Sequence, residues 1–398
     1  MTDIPQTPHF ILDHQVMIDE VNSLNKEVSI YWPNTIAAYS VKTNSLPYLA
    51  KMLNEMGVYA EVVSEDEYEM VRICGYKPKH IVCNGPIKSK DFVAQLMNNH
   101  VMFNIDSHAE LKYVLEYARA NPSKDFGVGL RVNVDIEKYF PTESKAGNQG
   151  SRFGFCMENS DLALSIKLLE NCHNIYINGL HLHVSTSTRK VEIYRWLSGL
   201  FAKLVKKYDL NRIEYFDIGG GFFGGMPNKP GWKDYISAIA EVLKDNGFSS
   251  NKLTLILEPG VSLLAGAFSY VASVIDVKST NRSRFIVTDG SRIHIDPFFH
   301  KISYFFDHET QKHKPALEKQ IVVGFTCLEY DNIMTLENYA EVSIGDRFVF
   351  NKLGAYSISL SPLFISYFPA VYLRETDGSL ICVREKWTAK EFVQKSKI

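Results

Sequence analysis

The sequence predicts an α/β protein: a (β/α)8 barrel followed by a mostly β domain. Three observations predict it. Eight short apolar stretches recur between residues 36 and 258, each followed by a segment of helical periodicity. Their number, and the roughly 240 residues they occupy, are what an eight-stranded parallel barrel needs. After about residue 266 the rhythm changes to runs of β-branched and aromatic residues separated by turns. A doubly wound open sheet is the alternative, since it too alternates apolar strands with helices.

In chain order, 8–13 (PHFILD) reads as a strand and 14–26 as a helix. The barrel strands are then expected at 36–41, 59–63, 80–84, 101–105, 127–134, 175–183, 213–218 and 253–258. Leu46, Leu49, Leu53 and Met56 recur at helical spacing before Gly57, a residue suited to the left-handed turn that ends a helix. Ser64 with Glu67, and Ser107 with Glu110, have the three-residue offset of capping boxes. Tyr194, Leu197, Leu200, Phe201 and Leu204 mark the helix after strand six. Beyond the barrel, SYVASVIDVK, RFIVTDG, QIVVGFTC, DRFVFNKLGAYS and AVYLRE read as strands, with turns at Asp289-Gly290, Gly345-Asp346 and Asp377-Gly378. The expected division is 27–265 for the barrel, with 1–26 and 266–398 forming a second domain, its first strand near Phe10 pairing back.

Composition excludes several functions. Of 398 residues 45% are hydrophobic and 22% charged, enough for a large core. Lysine and arginine number 43 against 45 acids, a formal charge of −2, which offers no footprint for nucleic acid or an anionic membrane. The six cysteines fall at no metal or disulfide spacing and read as reduced thiols. No run of about 18 apolar residues and no leader pattern occurs, so a soluble cytoplasmic protein is expected.

In such barrels chemistry gathers at the carboxyl ends of the strands. Strand one ends in Lys42, after five small or apolar residues (Ile36, Ala37, Ala38, Tyr39, Val41). Burial disfavours the charged amine, and only a neutral amine attacks a carbonyl, so Lys42 is a candidate Schiff-base lysine. Strand two is followed by Ser64, strand five carries Arg131 and Asn133, and strand six carries His181 and His183. Strand seven runs into Gly219, Gly220 and Gly221, whose amides are placed to face an anion. Strand eight ends in Glu258-Pro259-Gly260, and a buried Glu258 needs a partner, for which a pyridinium nitrogen would serve. Lysine, phosphate cradle, stacking histidine and buried carboxylate together describe a pyridoxal 5'-phosphate site, where the ring acts as an electron sink.

The chain then resembles the fold-type III pyridoxal-phosphate decarboxylases, the group of diaminopimelate, ornithine and arginine decarboxylases, from about residue 7 to 368. The likeness lies in YSVKTN, EVVSEDE, DSHAEL, LRVN, SRFGF, GLHLHVST, DIGGGF, EPG, CLEYDNI and GAYS. It implies that Lys42 carries the cofactor, His183 stacks on its ring and Glu258 meets its nitrogen. It also implies that Gly219, Gly220, Gly221 and Tyr356 hold the phosphate, with Thr186 where the family usually has serine. Cys327 would be the catalytic acid, reaching the site from a neighbouring subunit together with Asp331, in a homodimer with shared sites.

Departures bear on substrate. The arginine that normally follows EPG is Val261, which predicts weaker hold on the cofactor phosphate. The diaminopimelate branch has Arg-Pro where this chain has Asp296-Pro297, and glutamate directly after its cysteine where this chain has Leu328, with Glu329 one place on. These argue against diaminopimelate and toward a cationic or modified amino acid. Two alternatives stay open: a racemase or epimerase on the same scaffold, and a catalytically silent regulatory homologue.

Overall fold

A computed structural model describes residues 5–397 apart from 225, 227 and 311–313. Residues 1–4 and 398, at the ends of the expected second domain, lie outside the described residues. The chain divides into two compact units, Glu20–Ser262 and Met1–Asp19 with Leu263–Ile398.

In the first unit all eight expected strands form, as Thr35–Ser40, Tyr59–Val62, Ile81–Cys83, Met102–Ile105, Phe126–Asn133, Ile175–His181, Tyr215–Asp217 and Thr254–Leu257. They pair in parallel, first against last, and the fourth closes on the fifth through Asn104 opposite Gly129 and Ile105 opposite Leu130. That closure makes the sheet a barrel and excludes the open alternative. The interior is plugged by Tyr215, which packs with Ala38, Val82 and Ile256. Gly129 and Gly179 are required there, because a Cβ on Gly179 would collide with the Tyr215 ring and one on Gly129 with its hydroxyl and with Asn104 Oδ1.

Local signals account for the helices between strands. Ser64 and Ser107 cap as expected, accepting from the amides of Glu67 at 3.1 Å and Glu110 at 3.3 Å. The return bonds land one residue early: Glu67 accepts from the Val63 amide and Glu110 from Asp106, each at 2.8 Å. Gly57 has φ 79° and follows the helix Pro47–Glu55. The first helix runs His14–Tyr31 rather than stopping at 26. Leu24 and Val28, one turn apart, are both buried, so packing carries it through β-branched residues of lower helix propensity.

The second unit holds a nine-stranded sheet in the order Asn332–Ala340, Ala316–Val323, Arg284–Thr288, Phe268–Ser279, His9–Asp13, Ala370–Arg374, Leu380–Arg384. Arg347–Asn351 lies beside Phe268–Ser279 and carries Phe305–Glu309 on its other edge. The strand His9–Asp13 pairs antiparallel with Phe268–Ser279 and parallel with Ala370–Arg374, so this unit is discontinuous in sequence.

Candidate active site

The first barrel strand buries its last residues and ends at Ser40, and Lys42 sits in the tight turn Val41–Thr43 that follows. The Ser40 amide donates to the Pro259 carbonyl at 3.0 Å, which ties this rim to the end of strand eight. Lys42 Nζ lies 2.6 Å from Glu61 Oε2 on strand two, and Ser40 Oγ donates to the same oxygen at 2.7 Å. The lysine side chain is 42% exposed and that of Glu61 only 1%. Burial pushes the amine's pKa down, but the carboxylates of Glu61 and then Glu258 outweigh it and hold the amine above its ordinary value. This corrects the expectation of an amine neutralised by a dry surround: Lys42 is an ammonium paired to Glu61.

Glu258 follows strand eight and is buried, its amide donating to the Gly219 carbonyl at 2.9 Å. Asn84 Nδ2 donates to Glu258 Oε1 and, at 3.3 Å, to Glu61 Oε1. Glu258 is also close to Asp217 and His181, with ligand atoms of the three within 4.8 Å of one another. Burial, then the charges of Asp217 and Glu61, raise Glu258 well above the usual carboxylate range. Burial likewise pushes Asp217 up to about 7. His181 is buried with neither ring nitrogen hydrogen-bonded, and burial followed by Arg131 drives it well below its usual value.

The glycine turn wraps His183. A Cβ on Gly219 would fall 2.5 Å from His183 Nδ1, and one on Gly220 would strike the Glu258 carbonyl. The Gly219 amide donates to Asp217 Oδ1 at 3.0 Å and the Gly220 amide to His183 Nδ1 at 3.3 Å. Two of the three amides expected to face an anion are therefore spent inside the protein, a correction to the cradle read from sequence. His183, pushed down to about 3 by burial and then by Arg131 and Lys42, is a neutral ring. Thr186 is buried and bridges to Ser144.

The remaining expected residues belong to the β unit. Cys327 and Glu329 are exposed on a loop closed by the Gly324 amide, which donates to the Asp331 carbonyl at 2.9 Å. Asp331, expected to meet substrate, is instead the loop's anchor. It accepts from Thr326 Oγ1 at 2.6 Å, Ser291 Oγ at 2.8 Å and the Arg292 amide at 2.9 Å. Asp296 is likewise spent: Arg292 grips it through Nη2 at 2.8 Å and Nε at 3.0 Å, and the Lys301 amide donates at 2.9 Å. A charge cancelled in this way cannot favour a cationic substrate, so that inference from Asp296 falls. Tyr356 is 40% exposed and held at φ 57°.

Residues 18–265 match the family model described as "Pyridoxal-dependent decarboxylase, pyridoxal binding domain". The chain belongs to this family. It is a pyridoxal-phosphate-dependent carboxy-lyase. It is 29% identical to the probable chloroplastic diaminopimelate decarboxylase of Oryza sativa subsp. japonica over 359 residues, 88% of this chain and 72% of that protein. Against the diaminopimelate decarboxylase of Aquifex aeolicus it is 27% identical over 364 residues, 89% and 84% of the two chains. The solved diaminopimelate decarboxylase of M. jannaschi has the same fold, with a TM-score of 0.86 at 22% identity over 98% of this chain and 92% of that one.

The residues present fit the family's cofactor. An amine stands at the rim, a buried carboxyl follows the neighbouring strand, and His181 presents two buried nitrogens without partners. Sequence reasoning missed Glu61, Asn84, Asn104 and Asp217. Each is a lone polar residue in or just after an otherwise apolar barrel strand, and that recurring pattern is the signal that could have found them.

Proposed function

We propose that this decarboxylase removes the α-carboxylate of an amino acid other than diaminopimelate, with Lys42 anchoring the cofactor and Cys327 supplying the proton that replaces carbon dioxide. The observation that carries the reading is the continuous link from Lys42 through Glu61 and Asn84 to Glu258, which joins an amine and a buried carboxyl at the strand ends. When bound, the cofactor supplies an electron sink for the bond being broken. Glu258 would face the ring nitrogen, and His183, a neutral ring braced by the glycine turn, would lie on the ring without adding charge. Thr186, Gly219, Gly220, Gly221 and Tyr356 would hold the phosphate. With two of the glycine amides already spent, hydroxyls and later amides carry more of that hold. Glu61 keeps the Lys42 proton in place until the amine is needed.

Cys327 and Glu329 point out on an exposed loop beside Tyr330, which is 60% exposed, and this supports their acting in the site of a second copy. Phe298, Ile302 and Phe305 are exposed apolar residues suited to such a contact. For substrate, Leu328 in place of the glutamate and Asp296 in place of the arginine argue against diaminopimelate, while the Arg292 pair removes the case for a cationic one.

Borohydride reduction of the protein loaded with pyridoxal phosphate, followed by peptide mass analysis, is expected to fix the cofactor on Lys42. A label on another lysine overturns the assignment. Carbon dioxide release is then measured over a panel that includes diaminopimelate, and diaminopimelate as the best substrate overturns the substrate reading. Mixed Lys42→Ala and Cys327→Ala chains should recover activity that neither has alone; no recovery despite subunit exchange refutes the shared site.

A further inference from the structure

The barrel floor carries a directed line of hydrogen bonds. Tyr215 Oη donates to Asn104 Oδ1 at 3.0 Å. Asn104 Nδ2 donates to Asp217 Oδ2 at 3.0 Å and to Asn84 Oδ1 at 2.9 Å. Asn84 Nδ2 donates in turn to Glu258 Oε1 and to Glu61 Oε1. Each asparagine spends both amide hydrogens on this line, so neither has a donor left to offset more charge.

Three carboxyls, Glu61, Glu258 and Asp217, are thus buried together, and one ammonium, Lys42, answers them. The other buried cations have acids of their own: Arg131 pairs with Asp106 at 2.9 Å and Lys88 with Glu110 at 3.0 Å. His181 stands 3.9 Å from Glu258 Oε2, and both it and His183 are neutral, because burial and the nearby Arg131 and Lys42 oppose a further positive charge. Tyr215 is a neutral donor. Three ionised carboxylates against one ammonium in such an interior would cost several kcal/mol. Glu61 keeps its charge, since Lys42 and Ser40 both bind it. Carboxyl oxygens of Asp217 and Glu258 lie within 4.8 Å of one another, and two buried acids at that range avoid paired negative charges by holding a proton between them.

We propose that Asp217 and Glu258 hold one proton between them, and that the cofactor's ring nitrogen takes this stored proton on docking rather than one from solvent. Asp217 is then a positioning residue that keeps Glu258 supplied. In the transfer the O–H bond of the pair breaks, the N–H bond of the ring forms, and the electron pair stays on the carboxylate oxygen. The new negative charge on the pair faces the new positive charge on the ring. The inference rests on the reading of Glu258 as the ring-nitrogen partner, and it concerns the origin of the proton.

The test is a proton count. Pyridoxal phosphate is added to the unloaded protein in weakly buffered solution at one pH, and proton uptake per bound cofactor is read with an indicator dye. In Asp217→Asn the amide stores no acid proton, and the loss of a like charge together with an amide donor facing Glu258 in place of the shared proton favours the ionised carboxylate. The variant should draw about one proton more from solvent than the wild type. Contributions from Lys42 and the phosphate are common to both proteins and cancel. Equal uptake overturns the inference. If the variant does not fold, infrared spectroscopy of the wild type decides: a protonated carboxyl band in the unloaded protein, lost on adding pyridoxal phosphate, is expected, and its absence from the unloaded protein overturns the inference. A wild type that never develops the absorbance of bound cofactor refutes the underlying reading instead.

Discussion

Lys42 Nζ, in the turn after the first barrel strand, stands 2.6 Å from Glu61 Oε2 on the second, so the amine at the centre of the site begins as half of an ion pair. Because Glu61 favours the ammonium, Glu61→Gln should lower the lysine's pKa. Cofactor attachment, followed by absorbance as a function of pH, should then reach its half-maximal rate at a lower pH than in the wild type. An unmoved midpoint would show that Glu61 does not govern the amine.

Lys88 and Glu110 form an ion pair inside the barrel unit, both side chains buried, and Lys88 also donates to the carbonyls of Gly85 and Asn104. Lys88→Met leaves an uncompensated buried carboxylate and should cost about 3–5 kcal/mol. The double variant Lys88→Met with Glu110→Leu should recover much of that loss. Denaturant unfolding of the unloaded protein measures both, and a double variant less stable than the single one would contradict the account.

Arg292 and Asp296 make a two-pronged pair inside the β unit. Asp296→Ala should therefore destabilise the protein by about 1–3 kcal/mol, through the guanidinium and amides left without an acceptor. It should not change the relative KM of cationic and neutral amino acids. Selective loss of cationic substrates would restore Asp296 as a substrate contact.

His183 is uncharged in the fold down to about pH 3 and titrates near 6.5 when unfolded. Between those values the unfolded chain binds more protons, so the residue's contribution to stability rises with pH across that window. Relative to His183→Gln, the unloaded wild type should gain on the order of a few kcal/mol as pH rises from about 3 to 6.5. Parallel stability profiles would mean that the ring is charged, or solvated, in the fold.

Much of this site was legible because its signals are local. Lys42 at a strand end, the three glycines after strand seven and Glu258 after strand eight each declare themselves within a few residues, as do the serine caps at 64 and 107. The capping glutamates reached one residue further back than the pattern predicts, and Glu110 also binds Lys88, 22 positions away, which nothing local announces. Asp296 and Asp331 misled for the same reason. An aspartate after a turn carries no local sign of whether its charge faces a ligand or an arginine.

The alternation of apolar strands and amphipathic helices by itself determined a helix-covered parallel sheet, closed or open, because burial of one helix face and both strand faces leaves few ways to pack such a chain. The glycine-rich turn and the rim lysine followed from the same pattern. Only the tertiary structure decided which polar groups meet. Asn84 reaches Glu258 across 174 residues, and Asn104 reaches Asp217 across 113. A lone polar residue in an apolar strand shows that some partner must exist, since an unpaired buried group is costly. Which partner it finds depends on strand order and on how the barrel closes, and those are properties of the whole sheet.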